Sequence, residues 1–382
     1  MKIVLVSGFL NHHQKPLSEA IRKRSDEFWF IATECVKNVG YQKSDTESYV
    51  LNYYDETQKE EIERIITDAH VVIFGSCPTR LVKLRMESNK LSFIYSERYF
   101  KKGLWRRFIP SVRNAINQRI VSYSGSNLYV LCASAFLPYD LSMLGYPYNK
   151  CYKWGYFPTV KQYPNFDEII NTKEKKSILW CARLIPLKHP EHVVKMALRL
   201  KKSGYSFELN MLGDGPMMDS LQKMICRLGL SDCVHLRGSV SSDEVRVYME
   251  RSKIFVFTSN RMEGWGAVMN ESMNSACAVA ASHAVGSVPF LIQDGVNGLV
   301  YRSGSVRTLA KKVAYLLDDE KATCIIGSTA YQTLVGEWNA EIAAERLIDI
   351  SSHILQGDTT YAYESGPCSR AEIVKDNWYK RS

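Results

Sequence analysis

The stretch that decides the fold is residues 254–271, which read IFVFTSNRMEGWGAVMNE. The opening run, Ile254–Ser259, is short, apolar and rich in aromatic side chains, which is typical of a buried strand. A polar loop with Gly264 and Gly266 follows, and the last residues begin a helix. In α/β sheets a junction of strand, tight loop and helix binds anionic ligands, because free backbone N–H groups and the helix dipole favour negative charge.

Two carboxylates in this stretch, Glu263 and Glu271, are candidates for ligand binding. Glu263 would lie in the loop and Glu271 on the first turns of the helix, so both could face one pocket. Alternatively, either glutamate alone only balances the dipole of the helix.

The length and composition are those of a globular protein. A chain of 382 residues exceeds what one core usually supports, and 46% hydrophobic with 23% charged residues shows no disordered bias. The ten cysteines include no C-x-x-C pair, which argues against a zinc site and favours a reducing cytosol. The N-terminal apolar run is too short for a signal peptide, and no run of about 18 apolar residues occurs. We expect a cytoplasmic protein, soluble or peripheral to a membrane.

Strand-like and helix-like segments alternate along the whole chain. This alternation predicts parallel sheets with right-handed crossovers, and hence an α/β fold of two doubly wound, Rossmann-like domains that face each other across a cleft. The predicted strands are Lys2–Ser7, Phe28–Thr33, Val71–Gly75, Leu91–Tyr95, Leu128–Ala133, Ser177–Ala182, Phe207–Gly213, Val234–Arg237, Ile254–Ser259 and Val279–Ser282.

Breaks in this pattern predict the domain boundaries. The first domain should span residues 1–165 and the second residues 174–336, with a closing helix and a loose tail in residues 337–382. Lys173–Lys176 is interpreted as a solvated charge run just before the second domain.

The net charge of +9 is concentrated in one segment of the first half. Seven basic residues lie between Arg98 and Arg119 without an acidic residue, and Trp105, Phe108 and Ile109 are interleaved with them. This composition is typical of a surface for anionic lipid headgroups or a pyrophosphate, although it also suits a solvated basic helix face. No reader motif accompanies the segment, so nucleic acid is not an expected partner.

Further candidates follow other predicted strands. Arg183 and Lys188 come at the end of one strand, where a diphosphate would need permanent positive charge over its oxygens, although basic residues at a strand end are often plain surface charges. Gly213 opens a Gly-Asp-Gly-Pro turn that could bring the backbone close to a ligand, although a purely structural turn would look the same.

These motifs together resemble those of the retaining GT-B glycosyltransferases of the large family 4 group, the glycosyl transferases group 1. The resemblance rests on Arg183 with Lys188, the Gly-Asp-Gly-Pro turn, the Glu-x7-Glu pair and the Asp-Gly-x-x-Gly turn at Asp294–Gly298. It covers about residues 177–355 and is specific for the family rather than for a substrate.

The resemblance implies a role for each of these side chains. Arg183 and Lys188 would bind the diphosphate of the donor and stabilise the leaving group. Glu263 would contact the transferred sugar and Glu271 the ribose hydroxyls. Gly213 and the loop amides around Gly264, Trp265, Gly266 and Ala267 would complete the donor site.

The first half departs from the pattern of the family. The loop after the first strand offers Gly8 and then polar residues, including His12 and His13, where many members carry a glycine-rich loop. Where many members place a histidine, this chain has Glu97 and Arg98, and either could take over that position. These five residues are candidates for lining the cleft.

We therefore expect a retaining glycosyltransferase that moves a sugar from a UDP- or GDP-sugar to a glycan or lipid-pyrophosphate acceptor in bacterial surface polysaccharide synthesis. No Asp-x-Asp motif occurs, so no metal is expected. The inner face of the plasma membrane is an expected anionic partner. The alternatives are a nucleotide-sugar epimerase on the same architecture and a non-catalytic nucleotide-sugar-binding relative.

Overall fold

A computed structural model describes residues 1–35 and 47–380 of the chain. It divides into two compact units: residues 1–159 with 337–375, and residues 160–336 with the C-terminal residues from 376. Residues 337–375, expected as a closing helix and tail, thus make most of their contacts within the first unit.

The described residues contain strands β1 (Lys2–Ser7), β2 (Glu27–Ala32), β3 (Val50–Asn52), β4 (Val71–Phe74), β5 (Ser92–Ser96), β6 (Leu128–Cys132), β7 (Cys151–Lys153), β8 (Glu174–Cys181), β9 (Glu208–Leu212), β10 (Val234–Gly238), β11 (Ser252–Phe257), β12 (Ala278–Ser282) and β13 (Leu299–Tyr301). Their helices are α1 (Lys15–Arg22), α2 (Lys59–Asp68), α3 (Thr79–Glu87), α4 (Pro110–Arg119), α5 (Leu137–Ser142), α6 (Phe166–Thr172), α7 (Pro190–Lys202), α8 (Met218–Arg227), α9 (Ser242–Arg251), α10 (Ala267–Asn274), α11 (Val288–Leu291), α12 (Val306–Asp318), α13 (Glu320–Gly336) and α14 (Ala340–Leu355).

Each unit is built on one parallel sheet. The strand order is β3-β2-β1-β4-β5-β6-β7 in the first sheet and β10-β9-β8-β11-β12-β13 in the second. In both orders the winding reverses between the first strand of the unit and the fourth, which is the topological switch point where doubly wound sheets bind ligands. The predicted class of two doubly wound α/β domains is confirmed.

The central strands form because their residues can be buried on both faces of a sheet covered by helices. Every residue of β11 is buried, and β8 is buried from Ser177 to Trp180. Parallel strands in such sheets read as continuous apolar runs, which is the pattern that predicted them. β3, β7 and β13 were missed, because three residues are too few to show a pattern.

The charge run before the second sheet was interpreted wrongly at its first residue. Lys173 is only 6% exposed rather than solvated. Its ammonium lies 2.7–3.1 Å from four backbone carbonyl oxygens, those of Met249, Glu250, Ser252 and Ser275. A buried lysine is tolerated here because these carbonyls satisfy its N–H groups.

The predicted loose tail is wrong for the part that follows α14. Cys368 and Ser369 are buried, and the backbone of this segment bonds to β7 through Lys153 N to Ser369 O at 2.8 Å and Cys368 N to Lys153 O at 2.9 Å. The segment therefore covers the edge of the first sheet, which would otherwise leave backbone groups unpaired.

Candidate functional site

The candidate site lies at the switch point of the second sheet, at the carboxyl ends of β8 and β11. The loop after β8 carries Arg183 and Lys188, and the loop after β11 carries Glu263. Two hydrogen bonds join these loops: Thr258 Oγ1 donates to Lys188 O at 2.6 Å, and Asn260 N donates to Leu187 O at 3.1 Å. The fold thus brings together side chains that are 75 residues apart in sequence.

An ion pair between Lys188 and Glu263 is the centre of this arrangement. Lys188 Nζ donates to Glu263 Oε2, and the two side chains are 14% and 15% exposed. Arg183, in contrast, is exposed and makes no side-chain hydrogen bond or ion pair with the described residues. The site therefore holds one cation in a fixed position and offers a second that can turn toward a ligand.

The backbone of Gly213 packs closely against the backbone of the loop that carries Arg183. Its φ is +126°, and a Cβ atom there would lie 2.0 Å from Ala182 O. Asp214 O accepts a hydrogen bond from Leu184 N at 2.9 Å, so the two loops pack backbone on backbone. Only glycine allows this approach, and Gly213 thereby positions the backbone on either side of Arg183.

Glu271 lies on α10 and is largely buried. Burial raises the pKa of its carboxyl group above the ordinary value, although the charge of Arg246 acts in the opposite direction. Burial also raises the pKa of Cys181, at the end of β8, to about 12, and the charges of Glu271 and Lys188 both act on that thiol. The thiol is therefore protonated at neutral pH, and Glu271 and Lys188 both lie in its surroundings.

The loop between the two glutamates is tight because of its packing. Trp265 is fully buried, its Nε1 donates to Asn270 Oδ1 at 2.9 Å, and its side chain therefore belongs to the core. Gly266 has a φ of +85°, and a Cβ atom there would lie 2.4 Å from the ring of Phe257. Ala267 then begins α10. Among Gly264–Ala267 only backbone groups remain for a ligand, which is the role expected for them.

A polar network beside Lys188 was not recognised from the sequence. His189 Nε2 lies 2.9 Å from Asn260 Nδ2, and His189 Nδ1 lies 2.9 Å from Glu191 Oε1. Because an amide nitrogen can only donate, this geometry fits a neutral His189 that donates to Glu191. His189 also stacks on His192 with 4.5 Å between ring centroids. The sequence signal was the His-Pro-Glu-His run directly after Lys188.

Three residues of this network, His189, Glu191 and His192, are of the types that bind metal cations. One ligand atom each from His189, Glu191 and His192 lies within 4.8 Å of the others. Both ring nitrogens of His189 are already engaged, however, by Asn260 and Glu191. The arrangement therefore fits a hydrogen-bonded link between the loop after β8 and the loop after β11 better than a metal centre.

In the first unit, a cavity of about 610 Å³ lies at the equivalent switch point, at the ends of β1 and β4. Of the predicted cleft residues, His13, Glu97 and Arg98 line it, whereas Gly8 and His12 do not. Glu97 forms an ion pair with Lys101 and accepts a hydrogen bond from the hydroxyl of Tyr156 at 2.8 Å.

Arg98 is a buried structural cation rather than an open one. Its guanidinium pairs with the fully buried Asp140, with Nη2 to Oδ1 at 3.0 Å, and lies 4.9 Å from the ring centre of Phe136. Its charge is thus compensated, although it borders the cavity.

The basic segment divides into an inward and an outward part. Arg98 and Arg119 point inward, which corrects the expectation that the whole segment is one surface. Trp105 and Phe108 are 62% and 69% exposed, and the guanidinium of Arg107 lies 4.6 Å from the ring centre of Phe108. Among the described residues, no helix is long and apolar enough to cross a membrane.

Comparison with known proteins relates the sequence of the second unit to a family. Residues 163–333, almost the whole second unit, match the family described as Glycosyl transferases group 1. The chain is 26% identical over 191 residues to a GDP-mannose-dependent alpha-(1-6)-phosphatidylinositol monomannoside mannosyltransferase of Mycobacterium tuberculosis, covering 48% of each chain. It is 29% identical over 178 residues to the amylovoran biosynthesis glycosyltransferase AmsK of Erwinia amylovora, covering 45% of this chain and 44% of the other. The chain spans about half the length of the curated relatives it matches.

The fold also resembles solved structures. The structure of HepE from Anabaena in complex with UDP aligns with a TM-score of 0.68 at 14% identity, covering 94% of this chain and all of the other. The fold is accordingly GT-B. The second unit has the sequence pattern of a group 1 glycosyl transferase domain, and these matches do not favour the epimerase alternative.

Proposed function

We propose that the chain is a retaining glycosyltransferase of the family 4 type, which transfers a sugar from a nucleotide diphosphate sugar to a glycan or lipid-linked acceptor in bacterial surface polysaccharide synthesis. The observation that carries the proposal is the Lys188–Glu263 ion pair at the switch point of the second sheet, with Arg183 in the same loop as Lys188 and Glu271 on the helix that follows Glu263. The family match of residues 163–333 supports it, because that region carries all four side chains.

In this proposal the two cations act on the donor's diphosphate. An ammonium group has three N–H donors, so Lys188 can hold a phosphate oxygen while it remains bonded to Glu263. Arg183 can turn in from solvent and donate two parallel hydrogen bonds. Fixed cations over the phosphates stabilise the charge that develops as the diphosphate leaves, and no metal is required for that purpose.

The carboxylates orient the two sugar rings of the donor. Glu263, held by Lys188, accepts hydrogen bonds from hydroxyls of the transferred sugar, and Glu271 does the same for the ribose. The leaving phosphate oxygen takes the acceptor's proton on the face from which it departs. The reaction then needs no separate base and retains the anomeric configuration.

Steady-state kinetics with a panel of nucleotide sugars test the proposal. A thermal-shift screen with UDP, GDP and other nucleoside diphosphates first identifies the base, and NMR of the product then reads the anomeric configuration. Wild-type rates in both Arg183→Ala and Glu263→Ala would overturn the site assignment. Inversion in the product would overturn the retaining mechanism, and loss of activity in EDTA would overturn the metal-free assignment.

We further propose that the protein binds the anionic inner face of the plasma membrane through an outward surface of Trp105, Phe108, Lys102, Arg106 and Arg107. Two large exposed aromatic side chains beside basic groups support this, since the aromatic rings can enter the headgroup region. Each basic side chain near anionic lipid adds about 1 kcal/mol.

Flotation with vesicles tests this surface. The protein should float with vesicles that contain phosphatidylglycerol, less so at high salt, and the variant Trp105→Ala/Phe108→Ala should remain at the bottom. Val247→Ala, which changes an exposed apolar residue of the second unit, is the matched control. Equal flotation of wild type and the double variant would rule the surface out.

A further inference from the structure

One cation of the cavity in the first unit has no carboxylate partner among the residues that the structure describes. Arg119, at the end of α4, lines the cavity and is half-buried. Its Nη1 donates to Cys77 O at 2.7 Å and its Nη2 to Gly75 O, so the loop after β4 holds the guanidinium in place. Among the described residues, Arg119 forms no ion pair, because both of these partners are neutral carbonyls.

The other charged groups of the cavity are compensated. Arg98 pairs with Asp140, and Lys101 pairs with Glu97, which also accepts from Tyr156. Among the charged side chains that line the described cavity, Arg119 is therefore the one without an ion pair. A half-buried guanidinium with unused N–H groups favours an oxyanion, which it can bind with two parallel hydrogen bonds.

Two residues that line the same cavity have a buried polar atom without a hydrogen-bond partner among the described residues. His13 Nδ1 and Gln14 Oε1 are buried and make no hydrogen bond to the described residues. Burial lowers the pKa of His13 to about 4, so at neutral pH the ring is uncharged. A neutral imidazole nitrogen and an amide oxygen fit a ligand hydroxyl rather than an anion.

Gln14 lies close to the loop after β4, which holds the guanidinium of Arg119. Gln14 Nε2 donates to Ser7 Oγ at 3.0 Å, and that hydroxyl lies 2.8 Å from the position that a Cβ atom would take on Gly75. Gly75 O in turn accepts from Arg119. Hydroxyl-binding atoms and an oxyanion-binding cation thus line the same cavity.

We propose that this cavity binds an acceptor sugar that carries an oxyanion, with the oxyanion on Arg119 and a neighbouring hydroxyl on Gln14 and His13. The inference rests on the proposed transferase function and specifies the chemical class of the acceptor. Phosphate esters and uronic acids share the required chemistry, and the probes below distinguish them.

Direct binding to the full chain tests the inference without a donor. The variant Arg183→Ala/Lys188→Ala removes the other diphosphate-binding cations, and glucose 1-phosphate, glucuronate and glucose are titrated into it by calorimetry. At least one of the two anionic probes should bind about tenfold or more tighter than glucose, and the added change Arg119→Gln should abolish this preference. Arg113→Gln, an exposed arginine on the same helix, should leave it unchanged.

A second variant covers the case in which Arg119→Gln disturbs the loop after β4. Gln14→Glu keeps the shape of the side chain but places a negative charge in the cavity, so it should weaken the anionic probe and spare glucose. Equal affinity for all three sugars, or a preference that survives Arg119→Gln or Gln14→Glu, would refute the inference. Failure of the wild type to bind UDP or GDP would instead count against the donor site, because sugar binding is measured without nucleotide.

Discussion

The two sheets place polar side chains at the same topological point but balance their charges differently. At the β8/β11 switch point a lysine from one loop is neutralised by a glutamate from the other. At the β1/β4 switch point Arg119 donates to two backbone carbonyls and to the Cys77 sulfur, and it forms no ion pair with the residues that the structure describes. The side chains of an internal ion pair stay ordered without a ligand. A cation without a carboxylate partner, in contrast, is stabilised most when it binds an anion. Equivalent positions of one fold can thus hold an internal ion pair in one sheet and, among the described residues, a cation without an ion pair in the other.

The largest expected effect comes from breaking the ion pair of the second unit. Lys188→Ala should lower kcat by about 10²-fold, roughly 3 kcal/mol in the barrier, because it removes a fixed cation and leaves Glu263 without its partner. Steady-state kinetics measure this, and Lys195→Ala, an exposed lysine on α7, is the control. A kcat for Lys188→Ala within twofold of the control would show that the pair is only structural.

A pair of glycine substitutions compares the two switch points directly. Gly213→Ala should reduce the free energy of unfolding by about 3 kcal/mol, because its positive φ and the backbone oxygen of Ala182 both resist a Cβ atom. Gly75→Ala should cost about 1 kcal/mol, since its Cβ atom would meet the hydroxyl of Ser7, which can rotate. Urea denaturation measures both, and equal losses would contradict the backbone packing proposed for Gly213.

The two glutamates of the second unit should separate binding from turnover. Glu271→Ala should weaken donor binding by roughly tenfold, because hydrogen bonds of a charged group to the ribose contribute about 1.5–3 kcal/mol. Glu263→Ala should mainly lower kcat, because Glu263 contacts the transferred sugar in the proposed site. Calorimetry with the donor nucleotide and initial-rate kinetics check this division. The reverse pattern would exchange the two assigned roles.

The smallest expected effect concerns stability and pH. Burial raises the pKa of Glu271, so the folded protein retains this proton at a pH where the unfolded chain has lost it, and stability falls as pH rises through that interval. Glu271→Gln should therefore raise the Tm of the ligand-free protein at neutral pH.

This gain should fade as the pH falls below 4.5, the ordinary value for glutamate, where the carboxyl group is protonated in both states. Scanning calorimetry at several pH values measures the gain, with the exposed Glu61→Gln as control. A gain that does not change with pH would assign it to packing instead.

The central strands were predicted well from the sequence, and the motifs assigned to the proposed donor site come from it too. Those strands are long apolar runs, and the Glu263-x7-Glu271 spacing is local, so neither depends on distant residues. The three short edge strands could not be predicted, because their pairing is specified by neighbours in the sheet rather than by their own pattern.

The charged residues show where prediction from the sequence ended. Lys173, Arg98 and Arg119 look alike in sequence, as basic residues in polar or basic segments. In the structure the ammonium of Lys173 is enclosed by backbone carbonyls, and Arg98 forms an ion pair with Asp140. Arg119 lines a cavity and forms no ion pair with the described residues. Their partners are distant in sequence, and a local pattern carries no information about such contacts.

The class of the fold and the alternation of strands and helices follow from the sequence alone, and the hypothesis of a diphosphate-binding set of side chains comes from it as well. Hydrophobic periodicity and short-range spacing suffice for these. The pairing of the charged side chains, in contrast, is specified by tertiary contacts. Lys188 reaches Glu263 because parallel strands bring distant loops to one edge of a sheet, and the environment of each charge follows from that packing.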